Sequence, residues 1–290
     1  MTKKTWIFSQ KLIASSLLVI SWIAPTLAQQ PRENNSPRVD IYNFEKRVVF
    51  HTPRIKNCEE EGNWCRLTST GQDLQPGDWL KTHKNAMAKL SILPQHALYN
   101  QGQNSTSKFS PEKERCGFLI DQGGGLAMHD SNSPTKSCKI ETSEVELKPT
   151  GTALFVWRRK QAQETIVGVL SDGPITVINN QNGNTIELGN GEVAVVSADG
   201  GLQRGEFSLR RFYEDNRIAL GLGCGERHEA YVNQQSTEIR ELLSKIRQET
   251  CEASRAQDES GLSELTTVID LPTFTAPVDD GFPFPAFGGV

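Results

Sequence analysis

Between residues 85 and 93 the chain reads "NAMAKLSIL", and its side chains alternate in character. Ala86, Ala88, Leu90 and Ile92 share one face of an extended chain while Lys89 and Ser91 share the other, the period of a half-buried strand. A corner precedes it. In Pro76-Gly77-Asp78 the proline presets φ and the glycine accepts the positive φ that other residues resist. Gly77 is expected to set the corner, Asp78 to accept backbone hydrogen bonds within it, and Trp79 and Leu80 to anchor the strand that follows. The run "ALFVW" puts Ala153, Phe155 and Trp157 on one face and Leu154 and Val156 on the other. Both faces are apolar, so this strand is expected inside the protein, with Arg158-Arg159-Lys160 breaking out into solvent. "TIVGVL", "ITVI", "TIEL" and "VAVV" follow, separated by Ser171-Asp172-Gly173-Pro174, Asn182-Gly183 and Gly189-Asn190-Gly191 turns. Strands starting about every ten residues predict an all-β sandwich, barrel or coil of short strands from Val39 to about Phe212.

The texture changes after Phe212. From about Glu226 to Ala256 the chain lacks proline and glycine, and Ile239, Leu242, Leu243 and Ile246 fall at i, i+3, i+4 and i+7. That is one apolar stripe on a helix, too brief for a coiled coil and suited to docking on the β domain. Residues 29–38, "QQPRENNSPR", read as a flexible leader, and the Pro/Gly-rich stretch from Asp270 as a disordered tail.

The first 28 residues are set apart from the fold. Lys3, Lys4 and Lys11 precede an uncharged run from Leu12 to Ile23, and Pro25-Thr26-Leu27-Ala28 supplies small residues before a cut, the order of a secretory signal peptide. The apolar run is short of the roughly 20 residues a spanning helix needs, which disfavours an uncleaved anchor. Cleavage removes three lysines and no acids, taking the formal charge of the 290-residue chain from −4 to about −7. Nucleic-acid binding, which draws on cationic contacts to phosphate, is therefore not expected, and neither is an integral membrane segment after cleavage.

All six cysteines lie beyond the cut: Cys58, Cys65, Cys116, Cys138, Cys224 and Cys251. An even number in an exported chain reads as disulfides. Chain order suggests Cys58–Cys65, Cys116–Cys138 and Cys224–Cys251, each worth roughly 2.5 to 3.5 kcal/mol if unstrained. Cys224 and His228 have a tolerable metal spacing, but no CxxC pair supports it, so no metal and no cofactor are expected.

Candidate chemistry is thin. Gly123-Gly124-Gly125 lacks the Lys-Ser/Thr ending of a phosphate loop and reads as a turn. Asp121, His129 and Asp130 could be combined with a serine, yet no nucleophile elbow accompanies them. Arg210-Arg211 reads as a solvated face and Asn104-Ser105-Thr106 as a glycosylation sequon in form. Trp64, Trp79 and Trp157 could stack a sugar, although Trp157 fits the core better. No catalytic residue is assigned and no enzyme is expected.

The series as a whole resembles the bacterial FecR domain. "LQPGDWLKTHKNAMAKLSI" is similar to its opening Gly-Asp-aromatic/aliphatic-Leu-x-Thr corner and strand. "GTALFVW", with Gly151 and Thr152, is similar to its central strand, and "TIVGVLSDGPITVINNQNGNTIELGNGEVAVV" to its closing ones. The likeness covers about residues 70–200, departing at Pro94-Gln95-His96, where the family has an Asp-Gly turn, and in the added cysteines. The resemblance implies a twisted, solenoid-like stack of short strands. It also implies an extracytoplasmic domain, here free-standing, without the membrane helix and sigma-factor-controlling segment of its best-known members. The expected fold is thus mainly β, solenoid-like or sandwich-like, followed by one C-terminal α-helix. The expected division is signal peptide 1–28, leader 29–38, β domain 39–212, helical extension 213–257 and tail 258–290. The expected function is a periplasmic or extracellular binding or sensing module contacting a protein segment in the cell envelope. A carbohydrate- or cell-wall-binding module is the alternative, and an unrecognised enzyme a third reading.

Overall fold

The computed structural model describes residues 39–51, 64–112, 115–133, 137–149, 153–171 and 173–261. The chain divides into two compact units, Met1–Asn34 and Asn35–Val290, and every described residue belongs to the second. Strands come first in chain order: β1 (Val39–Glu45), β2 (Val48–His51), β3 (Cys65–Arg66), β4 (Gln72–Leu74), β5 (Trp79–Thr82) and β6 (Met87–Ile92). Next come β7 (Ala97–Gln101), β8 (Ser105–Phe109), β9 (Gly117–His129), β10 (Lys139–Glu141), β11 (Val145–Lys148) and β12 (Ala153–Arg159). The last are β13 (Glu164–Ser171), β14 (Ile175–Asn179), β15 (Thr185–Leu188), β16 (Glu192–Ser197) and β17 (Leu202–Glu206). Three α-helices follow: α1 (Leu209–Asp215), α2 (Glu226–Asn233) and α3 (Thr237–Glu259).

The strands form two rows that share β9. The first sheet runs β4-β1-β6-β7-β9-β12-β13-β16-β17. The second runs β3-β2-β5-β8-β9-β10-β11-β14-β15. Every pairing is antiparallel except β9 with β10. Successive corners carry the chain from one sheet to the other, so each short strand extends one row or its neighbour.

β9 crosses between sheets in mid-strand. Its first half pairs with β8 and β10, its second half with β7 and β12. The crossing falls at Gly123-Gly124-Gly125, which was expected to be a turn. Gly123 has φ +64°, and a Cβ on Gly124 would stand 1.8 Å from the Val156 carbonyl oxygen. The glycines punctuate a strand here because a kink and a close backbone approach need the same missing side chain.

Two apolar layers result. Between the sheets lie Ile41, Leu90, Tyr99, Phe118, Val156, Val167 and Val177. On the outer side of the first sheet, Leu98, Met128, Phe155, Ile166 and Val193 meet Phe207, Phe212, Leu242 and Ile246 from the helical segment. The strand at 153–159 is apolar on both faces for this reason: it lies in the middle layer of three. The same layering corrects two expectations. Lys89 and Ser91 do not face solvent but are buried under the helices. Arg158 does not break out either, since its side chain is only 10% exposed.

The helical segment also differs from the expectation. Strands end at Glu206 rather than near Phe212, and α1 follows, its Ser208 side chain accepting from the Arg211 N–H. The stretch from Glu226 is split at residues 234–236 into α2 and α3. No proline or glycine marks that break. Packing sets it, because Tyr231 and Val232 on α2 and the Ile239, Leu242, Leu243, Ile246 stripe on α3 must each reach the same sheet. The stripe continues through Thr250, Ala253 and Gln257. Among the described residues no helix is long and apolar enough to cross a membrane.

Disulfides join Cys116 to Cys138 and Cys224 to Cys251, the pairings chain order suggests. Cys65 is also disulfide-bonded. Cys58, its expected partner, lies outside the described residues, as do the signal peptide, the leader, Gly151, Thr152 and the tail from residue 262.

Candidate interaction site at the open end of the sandwich

The two ends of the sandwich are built differently. At the N-terminal end the chain passes from β3 to β4 across the gap between the sheets. Leu67 and Leu74 are buried there, and the Leu67 N–H donates to the Val48 carbonyl and the Gly71 N–H to that of Ile41. At the other end the rows finish in β15 and β17, and among the described residues no pairing joins these two strands. The inner face of β17 carries Leu202, Arg204 and Glu206, opposite Val196, Ala194 and Glu192. Leu202 is 40% exposed although it sits in line with the buried Val196. Across the gap, Ile186 of β15 is only partly buried. A cleft of about 570 Å³ opens here, lined by Asn179, Gly183, Asn184, Thr185, Ile186, Gly200 and Leu202.

Register decides which backbone groups face outward. The Ser197 N–H donates to the Gly201 carbonyl, and the Phe207 N–H to that of Gly191. Alternation along an antiparallel ladder then directs Gln203 and Gly205 into the pairing with β16, and Leu202, Arg204 and Glu206 to the outer edge. On β15 the Asn179 N–H donates to the Asn184 carbonyl, which by the same rule leaves Thr185 and Glu187 on the edge. Among the described residues these edge groups have no strand partner. The rim is mixed in charge: Arg204 pairs with Glu192, whose carboxylate also accepts from the Gly189 N–H. An uncharged, amide-rich lining between two open edges suits an extended backbone.

The residues singled out from sequence lie elsewhere. Gly77 has φ +92° and its N–H donates to the Phe109 carbonyl. A carboxylate oxygen of the buried Asp78 accepts from the Gln75 N–H at 2.8 Å, and the Asp78 N–H donates back to the Gln75 carbonyl. The corner thus joins β5 to β8 and is remote in sequence from the cleft. Asp121 and His129 stand eight residues apart on β9, on either side of its crossing between the sheets. Asp121 pairs with Lys160 and Arg158, and Asp130 with Lys245 of α3. Burial holds the His129 imidazole below its ordinary range. These residues are not brought together.

Arg158 forms a second cluster. Its guanidinium grips both oxygens of Glu144 at 2.8 and 3.0 Å, and Thr165 donates to the same carboxylate. Burial alone would raise the Glu144 pKa, but hydrogen bonds from Arg158, Ser143 and Thr165 outweigh it and hold the carboxyl at about 2. This pair ties β12 to the turn between β10 and β11 across the sandwich. His228 is occupied too: Nδ1 accepts from the Gly221 N–H, and burial first, then Arg227 and Arg247, lower its pKa to about 4. With Cys224 in a disulfide, the Cys224–His228 metal reading is replaced by two separate structural roles. Trp157 packs against the core under the helices, which removes it from any stacking platform.

Sequence reading missed the open end. "LQRGE" is short, polar and glycine-bearing, so β17 carries no alternation to mark it, and only the Asp199-Gly200 turn before it hints at a final hairpin.

Comparison with protein families gives no match, and neither does comparison with curated proteins. Three solved chains are similar in structure. Two are crystal structures of "a putative anti-sigma factor from Parabacteroides distasonis". One is 12% identical with a TM-score of 0.38, covering 44% of this chain and 59% of its own. The other is 11% identical with a TM-score of 0.40, covering 48% of this chain and 67% of its own.

Proposed function

We propose that this chain is a non-catalytic extracytoplasmic binding or sensing module that takes an extended segment of an envelope protein at its open end. The observation that carries the reading is the pair of edges, β15 and β17, that have no outer strand partner among the described residues and flank one cleft. A segment entering there would add a strand to one edge and cover Ile186 and Leu202, so backbone bonds supply affinity and the two apolar side chains supply register. The FecR-domain resemblance agrees with a sensing role, and the cysteine bridges suit an oxidising compartment.

Proline separates binding from folding. Arg204 and Glu187 direct their N–H groups outward, so proline at either position spares the internal ladder while removing an edge donor. Arg204→Pro and Glu187→Pro should keep the wild-type melting temperature and lose crosslinked capture of an envelope protein identified by mass spectrometry. Full capture by the double variant would refute strand addition.

A further inference from the structure

The outer face of the second sheet carries a row that the open end does not use. Trp64, just before β3, lies beside His51 of β2 and Trp79 of β5: His51 pairs with Trp79, and the Trp64 ring stands 5.8 Å from that of His51. Lys108 of β8 pairs with Trp79 and holds its Nζ 5.9 Å from the indole centroid. Lys81 holds its Nζ 5.8 Å from the Trp64 ring. All five side chains are partly exposed, and Arg66 at the border is exposed.

Three features define the ligand. Among the described residues no carboxylate pairs with Lys81, Lys108 or Arg66. That is, among the described residues, a local cationic excess on a chain whose formal charge is −4. Farther along the same face Lys139 is taken up by Glu112, Glu141 and Glu146, so its charge is not free. Second, β2 and β5 are paired on both sides, so at His51, Trp79 and Lys81 side chains rather than backbone do the recognition. Third, Trp64 and Trp79 are two strand spacings apart, roughly 10 Å, about the span of a disaccharide.

We propose that this strip binds a polysaccharide bearing uronate groups. Pyranose C–H faces stack on the two indoles, and the sugar carboxylates reach the ammonium groups of Lys81 and Lys108 beside them. Nucleic acid meets the same stacking and charge, but the disulfides favour an oxidising compartment such as the cell envelope proposed above, which argues for a sugar polymer.

The test is calorimetric titration of the purified full chain with oligogalacturonate, its methyl-esterified form and single-stranded oligothymidylate. Oligogalacturonate should bind, with affinity falling about tenfold in Trp79→Ala and in Trp64→Ala. Lys81→Gln/Lys108→Gln should weaken it similarly and flatten its salt dependence. Arg204→Pro should leave it unchanged, which separates this site from the open end. The proposal is overturned by absence of oligogalacturonate binding, by equal affinity for the esterified form, by tighter binding of oligothymidylate, or by unaltered affinity in all four strip substitutions with folding preserved by circular dichroism.

Discussion

Lys89 Nζ donates to the Tyr231 hydroxyl at 2.6 Å and stands 3.9 Å from the centroid of the same ring. The ammonium comes from β6 in the middle layer and the phenol from α2, so one contact fastens the helical layer to the sheet. Tyr42 joins them from β1, and burial together with the adjacent Tyr231 raises its hydroxyl pKa well above the ordinary value. Lys89 is 1% exposed, which makes an unsatisfied ammonium here costly.

The two sides of that contact should respond unequally. Tyr231→Phe leaves a buried charge without its acceptor and should cost about 2 kcal/mol. Lys89→Met keeps the stem and removes the charge, and should cost less. Adding Lys89→Met to Tyr231→Phe should therefore restore stability in urea titrations. An additive loss would show that the pair contributes only packing.

The Glu144–Arg158 pair carries a pH signature. The folded pKa of about 2 lies below the ordinary carboxylate value of 4.5, so the folded state favours the ionised form. Its stabilisation is present above about pH 4.5 and is lost as pH falls through 2. Glu144→Gln should lower stability at pH 7 by about 3 kcal/mol and flatten the decline between those limits. Urea midpoints measured across that range test it, and an unchanged slope would assign the acid sensitivity elsewhere.

Two glycines should separate strain from collision. At Gly77 a Cβ meets nothing within 4 Å, so Gly77→Val costs only backbone strain at φ +92°, about 1–2 kcal/mol. At Gly124 a Cβ strikes the Val156 carbonyl, and Gly124→Ala must push β9 off β12. That should cost about 3 kcal/mol or more and broaden the unfolding transition. Comparable melting temperatures for the two variants would contradict the mid-strand crossing.

The contrast also marks what was legible in the sequence. Period-two alternation and turn residues place the strands, because a pleated strand sorts side chains by face whatever lies beyond each face. They do not say what covers a face. Lys89 and Arg158 read as solvent-facing because a charge normally is, whereas here a helix covers one and a carboxylate across the sandwich neutralises the other. Leu242 and Ile246 were legible as a stripe, but the break before α3 was not, since docking rather than a helix breaker sets it. The open end stayed hidden for a related reason. An edge is defined by the strand that is missing beside it, and no residue type in "LQRGE" records that.

The Cys224–Cys251 bridge closes the helical layer on itself, and its loss should be felt there first. The bridge spans 27 residues, enclosing all of α2 and the break before α3, so removing it restores about 3.5 kcal/mol of chain entropy to the unfolded segment. Beside it the Gly223 N–H donates to Thr250 Oγ1, holding the same two stretches together without the covalent bond. Cys116–Cys138 instead joins the chain just before β9 to that before β10 and does not touch the helices. Cys224→Ala/Cys251→Ala should therefore raise amide exchange in α2 and α3 well before it does so in β9 or β12. Cys116→Ala/Cys138→Ala should reverse that order. Uniform loss of protection in both variants would mean that sandwich and helices open as one unit, and that the buried Lys89–Tyr231 contact binds the layers more tightly than either bridge.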